Sequence, residues 1–440
     1  MPVEIRTRIL MHLDPLSLVR AARVCRSWRA AVMDESMWRS LLQRFQFPFP
    51  LSSRSVGASN SNRQQFRDCY ELDRNWRTGR CTTHTLDHDT QGTITCLALD
   101  RDYIFTAGED KVVKVWSATS HKVLHRMEGH AGGVWALQYE NNWLVSGSTD
   151  RTLRVWDVRT GKCLNELLGH SSTVRCLQIQ GDLVVSGSRD STLRVWNLKT
   201  GRCERTLRGH TDSVRCVEVH SGVIVSGSYD ATLRSWDLKT GELIAQMNGH
   251  KDRIYCLAYD GRRAASGSQD HTVRVWNPIS GECIHVLEGQ SSNLVALVQL
   301  RGDILVSGNA DSSILVWDIA TGKLKYDFEY DRIHKNTHAG AVTCLQFDEY
   351  KMFSGSDDGC LKMWDMKTGR FIRNVLSKRA GEVVNDIVWR LQFDATKLVA
   401  AYQSNQSSDS SVIVMDFDVD GRWTADASAQ TPQATISDTV

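Results

Sequence analysis

The chain has 440 residues, enough for a large core, and its net charge of +2 at pH 7 provides no overall basic field to attract nucleic acid. No apolar run approaches the ~20 residues that cross a membrane, and no charged-then-apolar secretory leader opens the sequence. Twelve cysteines include no C-x-x-C pair, so we expect reduced thiols, no metal site and no cofactor.

Residues 1–45 have a helical pattern, with Leu and Ile at helical spacing. Asp14-Pro15 is typical of a helix start, because Asp can cap and Pro suits the first turn. A helical unit this small rarely buries enough apolar surface to be stable alone. The apolar face that it leaves uncovered therefore either packs on the rest of the chain or binds a partner helix.

This segment resembles an F-box, and the resemblance is carried by Pro2, Glu4, Ile9, Leu10, Leu13, Leu16, Leu18, Val24, Cys25, Trp28 and Trp38. F-boxes bind the Skp adaptor of cullin–RING ubiquitin ligases, so the resemblance implies these partners. The residues expected to contact the adaptor are Pro2, Ile5, Ile9, Leu10, Leu13, Pro15, Leu16, Val24 and Trp28.

Residues 46–78 form a connector. The Ser/Asn-rich part through Asn62 is typical of a loop, and Arg63–Trp76 is predicted to be a helix. The connector is either a stiff spacer or a disordered tether, and the sequence leaves both alternatives open. Thr78–Leu86 then repeats the pattern of Thr200–Leu207, which predicts an outer strand at 79–86.

Seven copies of one template follow, which at its clearest has a Gly-His pair, a Ser-Gly-Ser-like strand, a turn Asp and a Trp. Their tryptophans, mostly 40 residues apart, are Trp116, Trp156, Trp196, Trp236, Trp276, Trp317 and Trp364. This period and these signatures are typical of WD-repeat β-propellers, with four strands to each blade. In the third copy the strands are predicted at Val174–Ile179, Leu183–Gly187 and Leu193–Leu198, then after Thr-Gly.

A degenerate eighth copy has strands at Ile387–Phe393, Lys397–Tyr402 and Val412–Asp416, separated by a polar insertion, and lacks a fourth strand. We expect residues 79–86 to supply that strand and close the ring. The predicted fold is an all-β eight-bladed WD-repeat propeller (79–419), preceded by a small all-α F-box domain and helical connector and followed by a disordered tail (420–440).

His170, Ser186, Asp190 and Trp196 recur in other copies, which invites comparison with a hydrolase. Catalysis does not need a triad in every blade, so a buried hydrogen-bond network explains the repetition better and no catalytic residue is expected. Gln290 replaces the His in the sixth copy. A repeated arginine slot, expected to be solvated, holds Arg154, Arg194, Arg234 and Arg274.

Two slots should surround the mouth of the central channel. The slot that opens the inner strand holds Thr95, Trp135, Arg175, Arg215, Tyr255, Val295 and Thr343, and the slot before the turn Asp holds Glu109, Thr149, Arg189, Tyr229, Gln269, Ala310 and Asp357. In these two slots, arginine occurs only in blades three and four.

Arg175, Arg189 and Arg215 should therefore converge, with Tyr229 and Tyr255 beside them. Their mutual repulsion is best explained by an absent anion, and planar guanidinium forks suit phosphate. Trp135 would form an apolar wall, and Arg151 with Lys111 a basic rim for a second acidic group. The alternative is that the arginines form ion pairs with Asp or Glu of neighbouring loops.

Over residues 1–420 the chain resembles the Fbw-seven/Cdc-four family of F-box/WD-repeat receptors. Val174–Cys176, Ser186–Asp190 and Val214–Cys216 match the family's phosphodegron-binding arginines. The surrounding family positions are matched by Thr149, Ser172, Tyr229, Tyr255, Trp135 and Arg151. The family binds phospho-Thr/Ser-Pro motifs that have apolar residues before the phosphate and often an acidic or phosphorylated residue after it.

The resemblance implies a non-catalytic substrate-recognition subunit of an SCF ubiquitin ligase, which recruits phosphorylated proteins for ubiquitination and proteasomal degradation. A non-degradative WD-repeat scaffold is the alternative. By the same resemblance we expect a nuclear protein, also present in the cytoplasm, and a homodimer through residues upstream of Met1 stays a hypothesis. The sequence does not identify the substrates.

Overall fold

The computed structural model describes residues 3–13, 15–45, 61–86, 92–289, 293–328, 336–376, 386–404 and 410–420. Pro2, Asp14, residues 46–60 with the predicted loop, Gln290, most of the polar insertion and the residues from 421 lie outside these ranges, as do the side chains of Pro15 and Leu16. The chain divides into two compact units, 1–82 with 395–397 and 415 onward, and 83–394 with 398–414. No helix among the described residues is long and apolar enough to cross a membrane.

The first unit is helical. Its helices are α1 Val3–Met11, α2 Pro15–Ala21, α3 Arg26–Val32, α4 Glu35–Phe45 and α5 Asn62–Thr78. Leu10, Leu18, Met37 and Leu41 form its buried centre together with Phe66 of α5. Because α5 contributes to this core, so small a helical domain gains apolar burial from the helix that follows it.

Helix α5 is longer than the predicted Arg63–Trp76 because both of its ends are capped. The Ser61 side chain accepts a hydrogen bond from the Gln64 N–H, and Gly79 ends the helix in the left-handed region at φ 82°. Near the C-terminal end, the Trp76 ring stacks on Phe417 with centroids 3.7 Å apart, and its indole N–H donates to the carbonyl oxygen of Ala395 (3.0 Å). Within the first unit, α5 is therefore held near both ends.

The second unit contains the sheets of an eight-bladed β-propeller, as predicted, and each sheet has four antiparallel strands. Blades one to four comprise β2 Ile94–Leu99, β3 Tyr103–Gly108, β4 Val113–Ser117 and β5 Val123–Met127; β6 Val134–Glu140, β7 Trp143–Ser148, β8 Leu153–Asp157 and β9 Cys163–Leu167; β10 Val174–Gln180, β11 Leu183–Ser188, β12 Leu193–Asn197 and β13 Cys203–Leu207; β14 Val214–His220, β15 Val223–Ser228, β16 Leu233–Asp237 and β17 Leu243–Met247.

Blades five to eight comprise β18 Ile254–Tyr259, β19 Ala264–Ser268, β20 Thr272–Trp276 and β21 Cys283–Glu288; β22 Val295–Arg301, β23 Ile304–Asn309, β24 Ile314–Asp318 and β25 Lys323–Asp327; β26 Val342–Phe347, β27 Lys351–Ser356, β28 Leu361–Asp365 and β29 Arg370–Leu376; β30 Ile387–Phe393, β31 Lys397–Gln403, β32 Ser410–Asp416 and β1 Thr82–Leu86. The inner strands neighbour one another in chain order, and β30 returns to β2.

The eighth sheet has the order β1-β32-β31-β30, so the early strand supplies its outer edge as predicted. Leu86 of β1 is 1% exposed and packs in a core with Val412 and Val414. The strand begins at Thr82 rather than at 79, because Gly79 is still occupied in ending α5.

The repeated His, Ser, Asp and Trp form the buried network predicted from their repetition. In blade three, His170 Nδ1 lies 2.9 Å from Asp190 Oδ2 and its Nε2 lies 2.8 Å from Ser186 Oγ, which also accepts the indole N–H of Trp196 (2.8 Å). The same contacts recur around His130, His210, His250 and His338. Each serine hydroxyl is fully buried and engaged, which argues against a hydrolase.

The expectation for the repeated arginine slot was wrong. Arg154, Arg194, Arg234 and Arg274 are half-buried rather than solvated, and the Arg194 guanidinium lies 5.8 Å from the Trp196 ring centroid. A Cβ at Gly169 would meet Arg194 Nη1 at 2.6 Å, so the glycine of the Gly-His pair makes room for this arginine. Cys163 is exposed, and all twelve cysteines are free thiols.

Candidate functional site

The mouth-facing residues of the inner strands are set by β-bulges. In blade three the pairing of β10 with β11 shifts between Val174 and Cys176, which leaves Arg175 outside the ladder. The same shift between Val214 and Cys216 releases Arg215 in blade four. A bulge re-aims a side chain without lengthening the turn, so one repeat position can vary while the strands stay constant.

The β-bulge of blade six shows that one predicted mouth residue was wrong. In blade six the shift lies between Val295 and Leu297, so Ala296 occupies the mouth position, while Val295 pairs with Asn309 and is buried. The prediction was wrong by one residue because this repeat is longer than its neighbours. The correction adds no charge to the mouth.

The three arginines share one electrostatic environment. Burial and then the positive charges of Arg215 and Arg189 lower the pKa of Arg175, while Tyr229 acts in the opposite direction. The Arg175 guanidinium carbon lies 5.0 Å from the ring centroid of Trp135, in cation–π range. Arg175 and Arg215 are half-buried and Arg189 is exposed, so the cluster opens to solvent. The cationic cluster is defined here as Arg175, Arg189 and Arg215.

Aromatic rings border the cationic cluster. The ring centroids of Tyr229 and Tyr255 are 5.2 Å apart, and the Tyr255 hydroxyl donates to Gln269 Oε1 at 3.4 Å. The Arg253 guanidinium lies 5.2 Å from the Tyr229 ring centroid, a neighbour that the sequence analysis missed. Arg253 precedes the strand by one position, and comparing that position across the copies would have found it.

Blade eight contributes two further mouth residues that the sequence analysis missed. The bulge between Val388 and Arg390 places Trp389 in the inner slot, and its indole N–H donates to Gln403 Oε1 at 2.9 Å. This copy lacks the Trp and Gly-His signatures that align the other seven, so the repeat pattern does not predict these two residues.

Three further residues of the predicted site are Thr149, Arg151 and Ser172. Thr149 and Arg151 are exposed and Ser172 is half-buried, and the Ser172 carbonyl accepts a hydrogen bond from Ser188 Oγ (3.1 Å). Arg151 follows the turn Asp with φ 76°. Within the described ranges, no contact joins these three side chains to the cationic cluster.

The ion-pair alternative finds no support among the residues that the structure describes. None of the salt bridges there involves Arg175, Arg189 or Arg215. Half-buried guanidinium groups without a carboxylate carry a desolvation cost and mutual repulsion. An arriving anion would remove both penalties.

A second candidate surface lies on the helical unit. Of the residues expected to contact the adaptor, Val24 is 69% exposed, Ile5 50% and Ile9 38%, while Leu13 and Trp28 are partly buried against the helical core. Leu10 has no exposed surface and belongs to that core, so its predicted contact with the adaptor is wrong. The exposed apolar side chains lie where a partner could cover them.

Profiles of two known families match the chain. F-box-like matches residues 1–44, and WD domain, G-beta repeat matches 79–117, 121–157, 161–197, 201–237, 241–277, 281–318 and 331–365, more than half of the chain. The chain belongs to the F-box/WD-repeat proteins.

Relatives of this F-box/WD-repeat protein include F-box/WD repeat-containing protein 7 of Drosophila melanogaster, 41% identical over 149 residues, which cover 31% of this chain and 11% of the relative. The probable E3 ubiquitin ligase complex SCF subunit sconB of Arthroderma benhamiae is 27% identical over 29% of this chain and 24% of its own length. The matched segment thus spans less than a quarter of either relative. A crystal structure of the computationally designed Ika8 protein matches with a TM-score of 0.66 and 31% identity, covering 74% of this chain and 98% of that chain.

Proposed function

We propose that this F-box/WD-repeat protein is the substrate-recognition subunit of an SCF ubiquitin ligase and captures proteins phosphorylated at Thr-Pro or Ser-Pro. The F-box-like match and the relative named as an SCF subunit support the ligase role. One observation supports phosphate binding: the cationic cluster combines three arginines that have no acidic partner in the described structure.

In this proposal the cationic cluster binds the phosphate, which carries about −2 charge and three acceptor oxygens. Arg175 and Arg215 donate from the inner strands and Arg189 from a turn. The Trp135 face receives apolar residues that precede the phosphate, and Tyr229 and Tyr255 border the other side. An unphosphorylated peptide would have to desolvate three unpaired positive charges without compensation, so the site rejects it.

The exposed face of Ile5, Ile9 and Val24 would bind the Skp adaptor and, through it, the cullin–RING subunits, which perform the chemistry. This chain would then act through proximity, since it raises the effective concentration of substrate lysines near the ubiquitin donor. A nuclear location and a homodimer remain further parts of the proposal.

Calorimetry with a Thr-Pro peptide in phosphorylated and unphosphorylated forms tests phosphate recognition. We expect measurable binding of the phosphorylated form only, and a loss of about 2–5 kcal/mol on Arg175→Ala, because a desolvated partner of the phosphate is removed. Arg159→Ala, an exposed turn arginine, is the control and should bind like wild type. Equal affinity for the two peptide forms, or wild-type affinity of Arg175→Ala, would refute the proposal.

A further inference from the structure

A cavity of about 250 Å³ lies in the second unit between blades six and seven. Its walls come from the turns between first and second strands and between third and fourth strands. In an antiparallel meander these turns lie at the opposite end of the sheets from the turn that carries Arg189. The cavity therefore opens on the face opposite the cationic cluster.

The seam between blades five and six has an arginine side-chain bridge that the described cavity seam lacks. At the neighbouring seam, Arg263 donates to Asp303 Oδ1 (2.9 Å) and to the carbonyl oxygen of Gly302 (3.1 Å), which ties blade five to the turn of blade six. Ile304 occupies the same register position in blade six. Isoleucine has no polar group to make this bridge to the next turn, and its apolar side chain lines the cavity instead.

The floor is apolar and the rim is cationic. Ile304, Phe347 and Met366 form the floor, and Phe347 and Met366 are nearly fully buried. Arg301, Lys325 and Lys367 are the rim cations, all exposed, and no ion pair in the described ranges involves them. The cavity is large enough to admit a Leu or Phe side chain.

The rim is ordered before any ligand arrives. Lys367 Nζ lies 4.5 Å from the ring centroid of Tyr350, and Lys325 Nζ lies 5.3 Å from that of Tyr326. The Tyr326 hydroxyl donates to the carbonyl oxygen of Lys367 at 2.6 Å, which joins the outer strand of blade six to the turn of blade seven. Less side-chain entropy is then lost on binding.

The charge balance favours an acidic ligand. Asp348 is engaged by Lys351 at 2.5 Å and by the backbone N–H groups of its own turn. Glu349 is the other carboxylate of the lining and faces the three rim cations. The rim therefore keeps a net positive charge.

We propose that this cavity binds an acidic peptide segment of a partner protein, with one apolar side chain in the cavity and flanking carboxylates on Arg301, Lys325 and Lys367. Charge complementarity and the size of the cavity argue for this occupant. The proposal goes beyond the proposed function, because such a segment needs no phosphate and leaves the cationic cluster free.

Fluorescence anisotropy of the full chain with a fluorescein-labelled Asp-Glu-Leu-Phe-Asp-Glu peptide tests the proposal. We expect saturable binding that weakens about tenfold or more in Lys367→Glu and in Arg301→Glu, because an attractive charge becomes repulsive. Glu349→Gln should strengthen binding, since it removes the opposing charge. Lys239→Glu changes the equivalent turn position of blade four and should leave binding unchanged.

The controls separate this site from the cationic cluster. A peptide with Gly-Ser in place of Leu-Phe should bind much more weakly if the apolar anchor enters the cavity. The triple variant Arg175→Ala/Arg189→Ala/Arg215→Ala should bind the acidic peptide like wild type, while it loses the phosphopeptide. No saturable binding by wild type, or equal binding by Lys367→Glu and wild type, would overturn the proposal and leave phosphate recognition untouched.

Discussion

Five of the WD repeats contain a buried-network carboxylate whose ionisation is coupled to folding: Asp150, Asp190, Asp230, Asp270 and Asp358. For Asp190, burial opposes ionisation, but hydrogen bonds from His170 and Thr192 outweigh it and hold the pKa of the carboxyl well below its usual range. The folded protein therefore binds fewer protons than the unfolded chain in acid. This contribution to stability is complete above the unfolded pKa near 3.8 and is lost as the pH falls further.

Asp190→Asn is expected to lower the free energy of unfolding by about 1–3 kcal/mol at pH 7, because a charge-assisted hydrogen bond is lost. Urea denaturation at pH 7 and pH 3 should show this difference shrinking in acid. Asp182→Asn is the control, since its ion pair with Lys199 is exposed and worth little. An Asp190→Asn effect as large at pH 3 as at pH 7 would contradict the linkage.

Glu218 has the opposite effect on the pH dependence of stability. Burial raises the pKa of its carboxyl to about 7, at a position where other blades have Gln138, Gln299, Gln346 and Gln392, each accepting a backbone N–H of another blade. The folded state keeps a proton that the unfolded chain loses above about pH 4.5, so stability falls as the pH rises from 4.5 to 7.

Glu218→Gln should therefore raise the free energy of unfolding by on the order of 1–3 kcal/mol at pH 8 and leave it nearly unchanged at pH 4. Urea denaturation at the two pH values measures this gain. Glu282→Gln, an exposed turn change, should have no effect at either pH. A destabilised Glu218→Gln protein at pH 8 would show that the carboxylate is stabilised by contacts.

At this scale the sequence located most of the candidate site, because the repeats act as controls for one another. Arg175, Arg189 and Arg215 stood out as departures from a template, and the structure gives them a shared environment. The predictions that were wrong depended on strand register and on side-chain packing. A one-residue bulge separates Ala296 from Val295, and the pattern does not reveal that Arg194 packs between a glycine and a tryptophan.

Among the elements, β1 shows most clearly how a sequence repeat predicts strand pairing. Its similarity to an outer strand predicted that it completes the eighth sheet, and the observed order β1-β32-β31-β30 confirms this. Strand ends were less predictable: the third predicted strand reached Leu198 but ends at Asn197, because capping and turn hydrogen bonds fix the ends locally. The length of α5 was underestimated for the same reason.

Leu86→Ala in β1 should lower the free energy of unfolding by about 2–4 kcal/mol, because a fully buried side chain leaves a cavity against Val412 and Val414. Leu124→Ala is the control: it lies in the outer strand of blade one but is 45% exposed, so its loss should be small. Thermal or urea denaturation measures both. Equal effects would mean that β1 does not hold the ring closed through its buried leucine.

Across the whole molecule, the proposed function places its two binding surfaces in different compact units. The helical unit offers Ile5, Ile9 and Val24, and the propeller offers the cationic cluster. The two surfaces share no residue, so variants should separate their activities. Ile9→Glu should abolish binding to the Skp adaptor in a pull-down while phosphopeptide affinity stays at the wild-type value.

A pull-down control distinguishes a lost surface from a lost fold. Arg29→Glu changes an exposed charge on α3 and should fold normally, whereas Leu10→Glu puts a charge in the buried core and should unfold the helical unit. If Ile9→Glu binds the adaptor normally and is folded, the exposed face of α1 is not the adaptor surface.

The most direct measurement is ubiquitin transfer in a reconstituted SCF complex containing this chain, with one Thr-Pro substrate supplied in phosphorylated and unphosphorylated forms. We expect ubiquitination of the phosphorylated form alone. We also expect loss of that transfer in the Arg175→Ala/Arg189→Ala/Arg215→Ala variant and in Ile9→Glu, each for a different reason. Equal modification of both substrate forms, or full activity of the triple variant, would contradict the proposed function.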